Sequence, residues 1–292
     1  MFFMPTRWKG LRMSLEMAGL RQEGFAGEVV RLRSEWRWRA FLAYAGAFVG
    51  RHFEGVYQRP RGAPSVVPGM NGCRRVVVVM NHPSWWDPLI AMLASSAWFG
   101  RVPAFGGMSA PELERYPFFR KLGIFPIRRG NSGARDWVDA LRAIGRCERS
   151  VLWTTPQGRF VDVRDRGVPL MRGIAMAGEP VEGCYFLPVA VEYVVGRSRL
   201  PAVYLQAGEP LEAQAFMGMG RDAVAQALQQ AMESEQDRLA NWIRRGEVSE
   251  WELIRRGGAG LGSVYGWWRR LLGGRAVGSV EWEGFQRGRG EL

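Results

Sequence analysis

Apolar residues recur at helical spacing near the start of the chain, at Val29, Leu32, Trp36, Ala40 and Ala43. The pattern predicts a helical segment over residues 1–58, distinct from the remainder of the chain. Arg31, Arg33, Arg37 and Arg39 surround Trp36 and Trp38, directly ahead of the apolar run 41–49. Basic residues with tryptophan beside a short apolar stretch suit a helix lying in a membrane interface. A packed helix whose arginines face water has the same pattern, so both readings stand at this point.

Pro60, Gly62, Pro64, Pro68 and Gly69 then mark a connecting segment. Val76, Val77, Val78, Val79 and Met80 form a continuous, mostly β-branched run, the pattern of a strand buried on both faces. It ends at Asn81-His82-Pro83-Ser84. Pro88 suits the first turn of a helix through Leu89, Ile90, Met92 and Leu93, capped by Asp87 or Ser84. Strand patterns recur at 123–127, 150–154, 185–195 and 202–207. Between the first two, Trp137, Leu141 and Ile144 share one helical face. Strands alternating with helices predict an α/β sheet with flanking helices. After Pro210 the stripe Val224, Leu228, Met232, Leu239, Ile243 is helical. Gly257, Gly258, Gly260 and Gly262 interrupt the chain before a second basic-aromatic stretch, Trp267-Trp268-Arg269-Arg270. The plan is an N-terminal helical segment at 1–58, an α/β core at 59–215, and C-terminal helices with a basic-aromatic tail at 216–292.

Composition narrows the partners. The formal charge of +12 over 292 residues comes almost wholly from arginine, Lys9 and Lys121 being the only lysines, and favours an anionic partner. Three cysteines without a C-x-x-C pair predict reduced thiols, with no disulfide framework and no metal site. The longest apolar run, 40–49, is about half of the ~20 residues that span a bilayer. The expected location is the cytoplasmic face of a membrane, peripheral or monotopic.

The chemistry centres on Asn81-His82-Pro83-Ser84-Trp85-Trp86-Asp87, a histidine five residues before an aspartate at the end of a buried strand. Sites in open α/β sheets lie beyond the carboxyl ends of strands. A tight turn there brings a carboxylate to one imidazole nitrogen, leaving the other to accept a proton. This is half of a serine-protease triad without the protein nucleophile, a part that a substrate hydroxyl can play.

At these residues the chain resembles the glycerolipid acyltransferase family, which includes the acylators of lysophosphatidic acid (1-acylglycerol-3-phosphate acyltransferases). Asn81, His82, Ser84 and Asp87 match its first block, N-H-x-S-x-x-D. Gly123-Ile124-Phe125-Pro126-Ile127-Arg128-Arg129 resembles the second block, an apolar strand ending in a basic residue, with Arg129 at the family's arginine. Thr155-Pro156-Gln157-Gly158-Arg159-Phe160 stands where the family has F-P-E-G-T-R, and Leu187-Pro188-Val189 resembles the fourth block. The resemblance spans roughly residues 70–210. It implies that His82 is the general base and Asp87 its orienting partner, with no cofactor. It implies acyl-CoA or acyl-carrier protein as donor, a lipid acceptor and an anionic membrane surface as partners, and no nucleic acid. Arg128, Arg129, Gln157, Gly158 and Arg159 become the expected acceptor-binding residues.

The third block departs from the family pattern. Gln157 keeps a carbonyl acceptor but lacks the family glutamate's charge, and Phe160 replaces an arginine. Arg159, Arg164 and Arg166 are candidates for the displaced positive charge. Trp85 and Trp86 suit either an acyl groove or core packing. His52 reads as a surface or interfacial residue, and Gly107-Met108-Ser109-Ala110-Pro111 as a loop. Two other classes fit the composition: a basic nucleic-acid binder, which lacks any recognisable binding motif here, and a catalytically silent membrane-binding homologue, against which His82 and Asp87 argue.

Overall fold

The computed structural model describes residues 25–59, 73–179, 182–195, 199–246 and 251–258. Helices α1 (Phe25–Leu32) and α2 (Glu35–His52) lead into strand β1 (Gly55–Gln58). Next come β2 (Arg75–Met80), α3 (Asp87–Phe99), β3 (Ala104–Ser109), α4 (Ala110–Arg115), β4 (Ile124–Ile127), α5 (Asn131–Gly145) and β5 (Ser150–Thr154). Beyond the third block lie β6 (Cys184–Val194), β7 (Ala202–Ala207), β8 (Leu211–Glu212), α6 (Arg221–Arg245) and β9 (Glu252–Arg256).

The described strands form one nine-stranded sheet in the order β4-β3-β5-β2-β6-β7-β1-β9, with β8 paired to β6. From β4 through β6 every neighbouring pair is parallel. The carboxyl ends of β2, β3, β4 and β5 therefore emerge along one edge. β6 and β7 run antiparallel, so the sheet is mixed beyond that point.

Helices cover both faces because β2 is apolar at every position from Val76 to Met80. Val76, Val78 and Met80 pack with Trp38 and Phe48 of α2 and with Ile90, Leu93 and Trp98 of α3. Val77 and Val79 pack on the other face with Leu141 and Ile144 of α5 and with Val224, Leu228 and Met232 of α6. β2 is thus the central strand of a three-layer α/β/α domain, and the loop at its carboxyl end is held on a rigid base.

Three local expectations change. The helix of the N-terminal segment stops at His52, and residues 55–58 form a strand between β7 and β9. β9 itself lies in the C-terminal region expected to be helical. Neither strand has a neighbour nearby in sequence, so their pairing is invisible to local periodicity. The 107–111 loop is instead the end of β3 running into α4. A Cβ on Gly107 would lie 2.4 Å from Ile127 Cδ1, so the glycine that weakens the strand signal is what admits the β4 side chain. Residues 1–24, the Pro/Gly segment 60–69 and the basic-aromatic tail lie outside the described residues.

The β4–α5 junction has its own steric limit. A Cβ at Gly133 would sit 1.8 Å from the Arg128 carbonyl oxygen, an impossible approach to backbone. Gly133→Ala should therefore destabilise the domain by about 1–3 kcal/mol despite alanine's better helix propensity. Thermal unfolding is the check, and an unchanged or raised Tm would contradict this packing.

Candidate active site

β2 brings its last residues to the open edge between β5 and β6. The buried Asn81 amide completes the ladder there: its Nδ2 donates to the Val191 carbonyl at 3.0 Å, and its Oδ1 accepts the Val191 N–H at 2.8 Å. Asn81 thereby pins the strand end to β6 beyond the last backbone pair, Met80 with Val189.

His82 is held by its main chain as well as its ring. Its N–H donates to Gln157 Oε1 at 3.0 Å, and its carbonyl accepts the Val161 N–H at 2.9 Å. Both partners belong to the third-block loop at the end of β5. Gly158 turns that loop with φ +67, a left-handed conformation that favours glycine. The imidazole Nδ1 lies 2.7 Å from Asp87 Oδ2. A carboxylate only accepts, so Nδ1 carries the proton in the neutral ring and Nε2 presents its lone pair. Nε2 has no hydrogen-bond partner among the described residues.

Asp87 is the first residue of α3, with Trp86 at the N-cap position and Pro88 in the first turn. Neither Asp87 nor Ser84 caps the helix as the sequence suggests. The carboxylate turns back across the loop, where Oδ2 also accepts the Ser84 N–H at 3.1 Å. The Ser84 carbonyl accepts the Asp87 N–H at 3.2 Å. The other oxygen, Oδ1, accepts the hydroxyl of Tyr193 at 2.7 Å. Burial and the adjacent Asp87 charge hold the Tyr193 phenol well above its ordinary range, so it stays protonated and donates. Sequence reasoning missed Tyr193, which sits on β6 far from the first block and bears no motif.

The two tryptophans divide. Trp86 packs on Phe48 and Phe53, whereas Trp85 is exposed. Phe160 leans its ring on His82 with centroids 4.4 Å apart while remaining 54% exposed. His52 stacks on Phe48 at 4.1 Å and is exposed, at the rim of the same aromatic group.

The arginines also divide. Arg128 Nε and Nη2 grip Asp136 of α5 at 2.8 and 2.5 Å, so the fork expected to face an acceptor is already filled by protein. Arg164 is paired with Asp162, and Arg166 with Asp237. Arg129 and Arg159 are exposed and make no ion pair among the described residues. Among the described residues Gln157 meets no arginine by hydrogen bond; its carbonyl serves the His82 N–H. β3 and β5 separate β4 from β2, which places the Arg129 backbone roughly 14 Å across the sheet from that of His82 at ordinary strand spacing.

Hydrogen bonding from Arg128 is the main cause that holds the Asp136 carboxyl below its ordinary range, against burial. The sign follows: a depressed carboxyl stabilises the fold at neutral pH, and that contribution fades as pH falls through its folded titration. The Tm difference between wild type and Asp136→Asn should be largest near neutrality and shrink below pH about 4. Melting curves across pH test this, and a gap that widens in acid would contradict it.

Residues 62–192 match a family model described as Acyltransferase. That stretch contains β2 through most of β6, with the His82, Asp87 and Gln157 positions inside it and Tyr193 one residue beyond. No curated protein matches the chain.

Proposed function

From this acyltransferase domain, we propose an O-acyltransferase that moves a fatty acyl group from an acyl thioester to a hydroxyl of a lysophospholipid or related lipid acceptor. The observation that carries the reading is the free Nε2 of His82, whose ring is oriented by a buried carboxylate through Nδ1. As the acceptor oxygen attacks the thioester carbonyl carbon, Nε2 takes its proton and a C–O bond forms. Collapse of the tetrahedral adduct breaks the C–S bond. The imidazolium then returns the proton to the departing thiolate, leaving an ester and the free thiol of CoA or acyl-carrier protein. Asp87 holds the tautomer and stabilises the imidazolium between the two transfers.

Arg129 and Arg159 are the groups suited to an anionic part of the acceptor, since their guanidiniums are not engaged by carboxylates among the described residues. Gln157 and Gly158 shape the loop that holds His82. Phe160 sets an apolar surface beside the base, which suits a lipid acceptor whose hydroxyl lies next to hydrocarbon.

His82→Ala should lower acyl transfer about 100- to 10,000-fold with the fold intact, the usual loss on removing a general base. The assay uses one acyl thioester with lysophosphatidic acid, other lysophospholipids and neutral glycolipids as acceptors. Retention of more than a tenth of wild-type turnover would refute the base assignment.

Attachment to a membrane is read from α2. Trp36, Ala40, Ala43, Tyr44 and Ala47 lie at least partly exposed along it at helical spacing, with Arg37, set over the Trp36 ring, and Arg51 beside them. Phe118 adds an exposed ring next to Phe41. The helix thus buries Trp38, Phe48 and Val49 while showing a second apolar face rimmed by cations, which fits an anionic membrane on the cytoplasmic side. No described helix is long and apolar enough to cross a membrane. The protein should sediment with vesicles containing an anionic lipid, less with neutral vesicles, and come off in high salt. Trp36→Ala combined with Tyr44→Ala should reduce sedimentation, and unaltered binding would place the contact elsewhere.

A further inference from the structure

We infer that Tyr193 is a positioning residue for the base, holding Asp87 Oδ1 so that Oδ2 stays on His82 Nδ1. The inference rests on the reading of His82 as the base. Its own support is geometric. Asp87 is 1% exposed, and a carboxylate so buried needs a donor on each oxygen. His82 and the Ser84 N–H serve Oδ2; among the described residues, Tyr193 alone serves Oδ1.

The tyrosine is itself well held. Val189 and Val191 of β6 face the α2–α3 layer, and Tyr193 falls on the same side by strand alternation. Its backbone is registered with Val203 of β7, and its ring packs against Phe53. Without the Tyr193 hydroxyl, the carboxylate can rotate about its Cβ–Cγ bond to seek another donor, and the imidazole loses its fixed partner.

The third-block loop brings Gln157 and Phe160 to His82, and neither titrates. From α2, His52 lies against Phe48, and Phe48 in turn against Trp86. From β6, Glu192 falls on the opposite face of the strand from Tyr193.

The chain has two histidines, so the His82 imidazole can be followed by NMR in histidine-labelled protein, with His52→Gln identifying the other signal. Tyr193→Phe removes only the hydroxyl. Its His82 ring signals should shift and its Nδ1-bound proton should exchange faster, as the imidazole loses the fixed Asp87 partner. In turnover, kcat should fall about 10- to 100-fold with KM within about twofold, as expected for a misaligned catalytic group. Incorporating 3-fluorotyrosine at position 193 keeps ring and hydroxyl, so the Nδ1-bound proton and kcat should stay near wild type, a test that holds if the phenylalanine variant folds poorly. Unchanged His82 ring signals in the phenylalanine variant, or loss of the Nδ1-bound proton signal in the fluorotyrosine protein, would overturn the inference. Loss of activity in His82→Ala with unaltered kcat in Tyr193→Phe would overturn it while leaving the base assignment standing; activity retained in His82→Ala would instead overturn the base assignment.

Discussion

A carboxylate buried as deeply as Asp87 has to be surrounded by donors, and the architecture of the site is largely the means of supplying them. One donor comes from the strand end, His82; one from the turn, the Ser84 N–H; and one from the neighbouring strand, the Tyr193 hydroxyl. These groups reach one point because β2 and β6 are parallel neighbours and Asn81 fastens their ends together. Removing a single partner leaves a buried charge incompletely paired, which costs far more than a surface ion pair would contribute. Local rigidity at His82 is therefore coupled to the burial of the whole central sheet.

The same site shows how the third-block departures fit together. Gln157 does with a neutral carbonyl what the loop geometry requires, accepting the N–H of His82. A formal charge adds nothing to that bond's geometry. Phe160 places hydrocarbon where the family pattern has a guanidinium, against the imidazole ring of the proposed base. Positive charge near the edge is correspondingly thinned, since Asp136, Asp162 and Asp237 engage three of the nearby arginines. Of the five candidate arginines, Arg129 and Arg159, on two different loops, have no carboxylate partner among the described residues. A net charge of +12 says little about where the unneutralised cations lie.

α2 carries a buried face and an exposed, largely apolar face on one helix. Its 18 residues make about five turns, enough for one face to bury Trp38, Phe48 and Val49 and another to present Trp36 and Tyr44. Its last turn touches the site through Phe48 and Trp86. A surface that engages the exposed face would thus lie close to the mouth of the candidate active site.

The buried β2 run, the α5 and α6 stripes and the β5 and β7 segments were legible from sequence, because each depends on periodicity within one short window. So was the His82–Asp87 contact, since five residues around a proline turn leave few other arrangements. The α/β class followed from the alternation of these elements. Tertiary structure decided the rest. Strands β1 and β9 exist because each borrows an edge from a segment far away in the chain. Gly107 is strand because β4 fills the space its missing side chain leaves. Which arginines remain open depended on three aspartates, one of them 71 residues from its partner. Tyr193 reached Asp87 across 106 residues. Spacing within a motif is a local quantity, whereas burial, pairing and neutralisation are set by which surfaces the folded chain brings together.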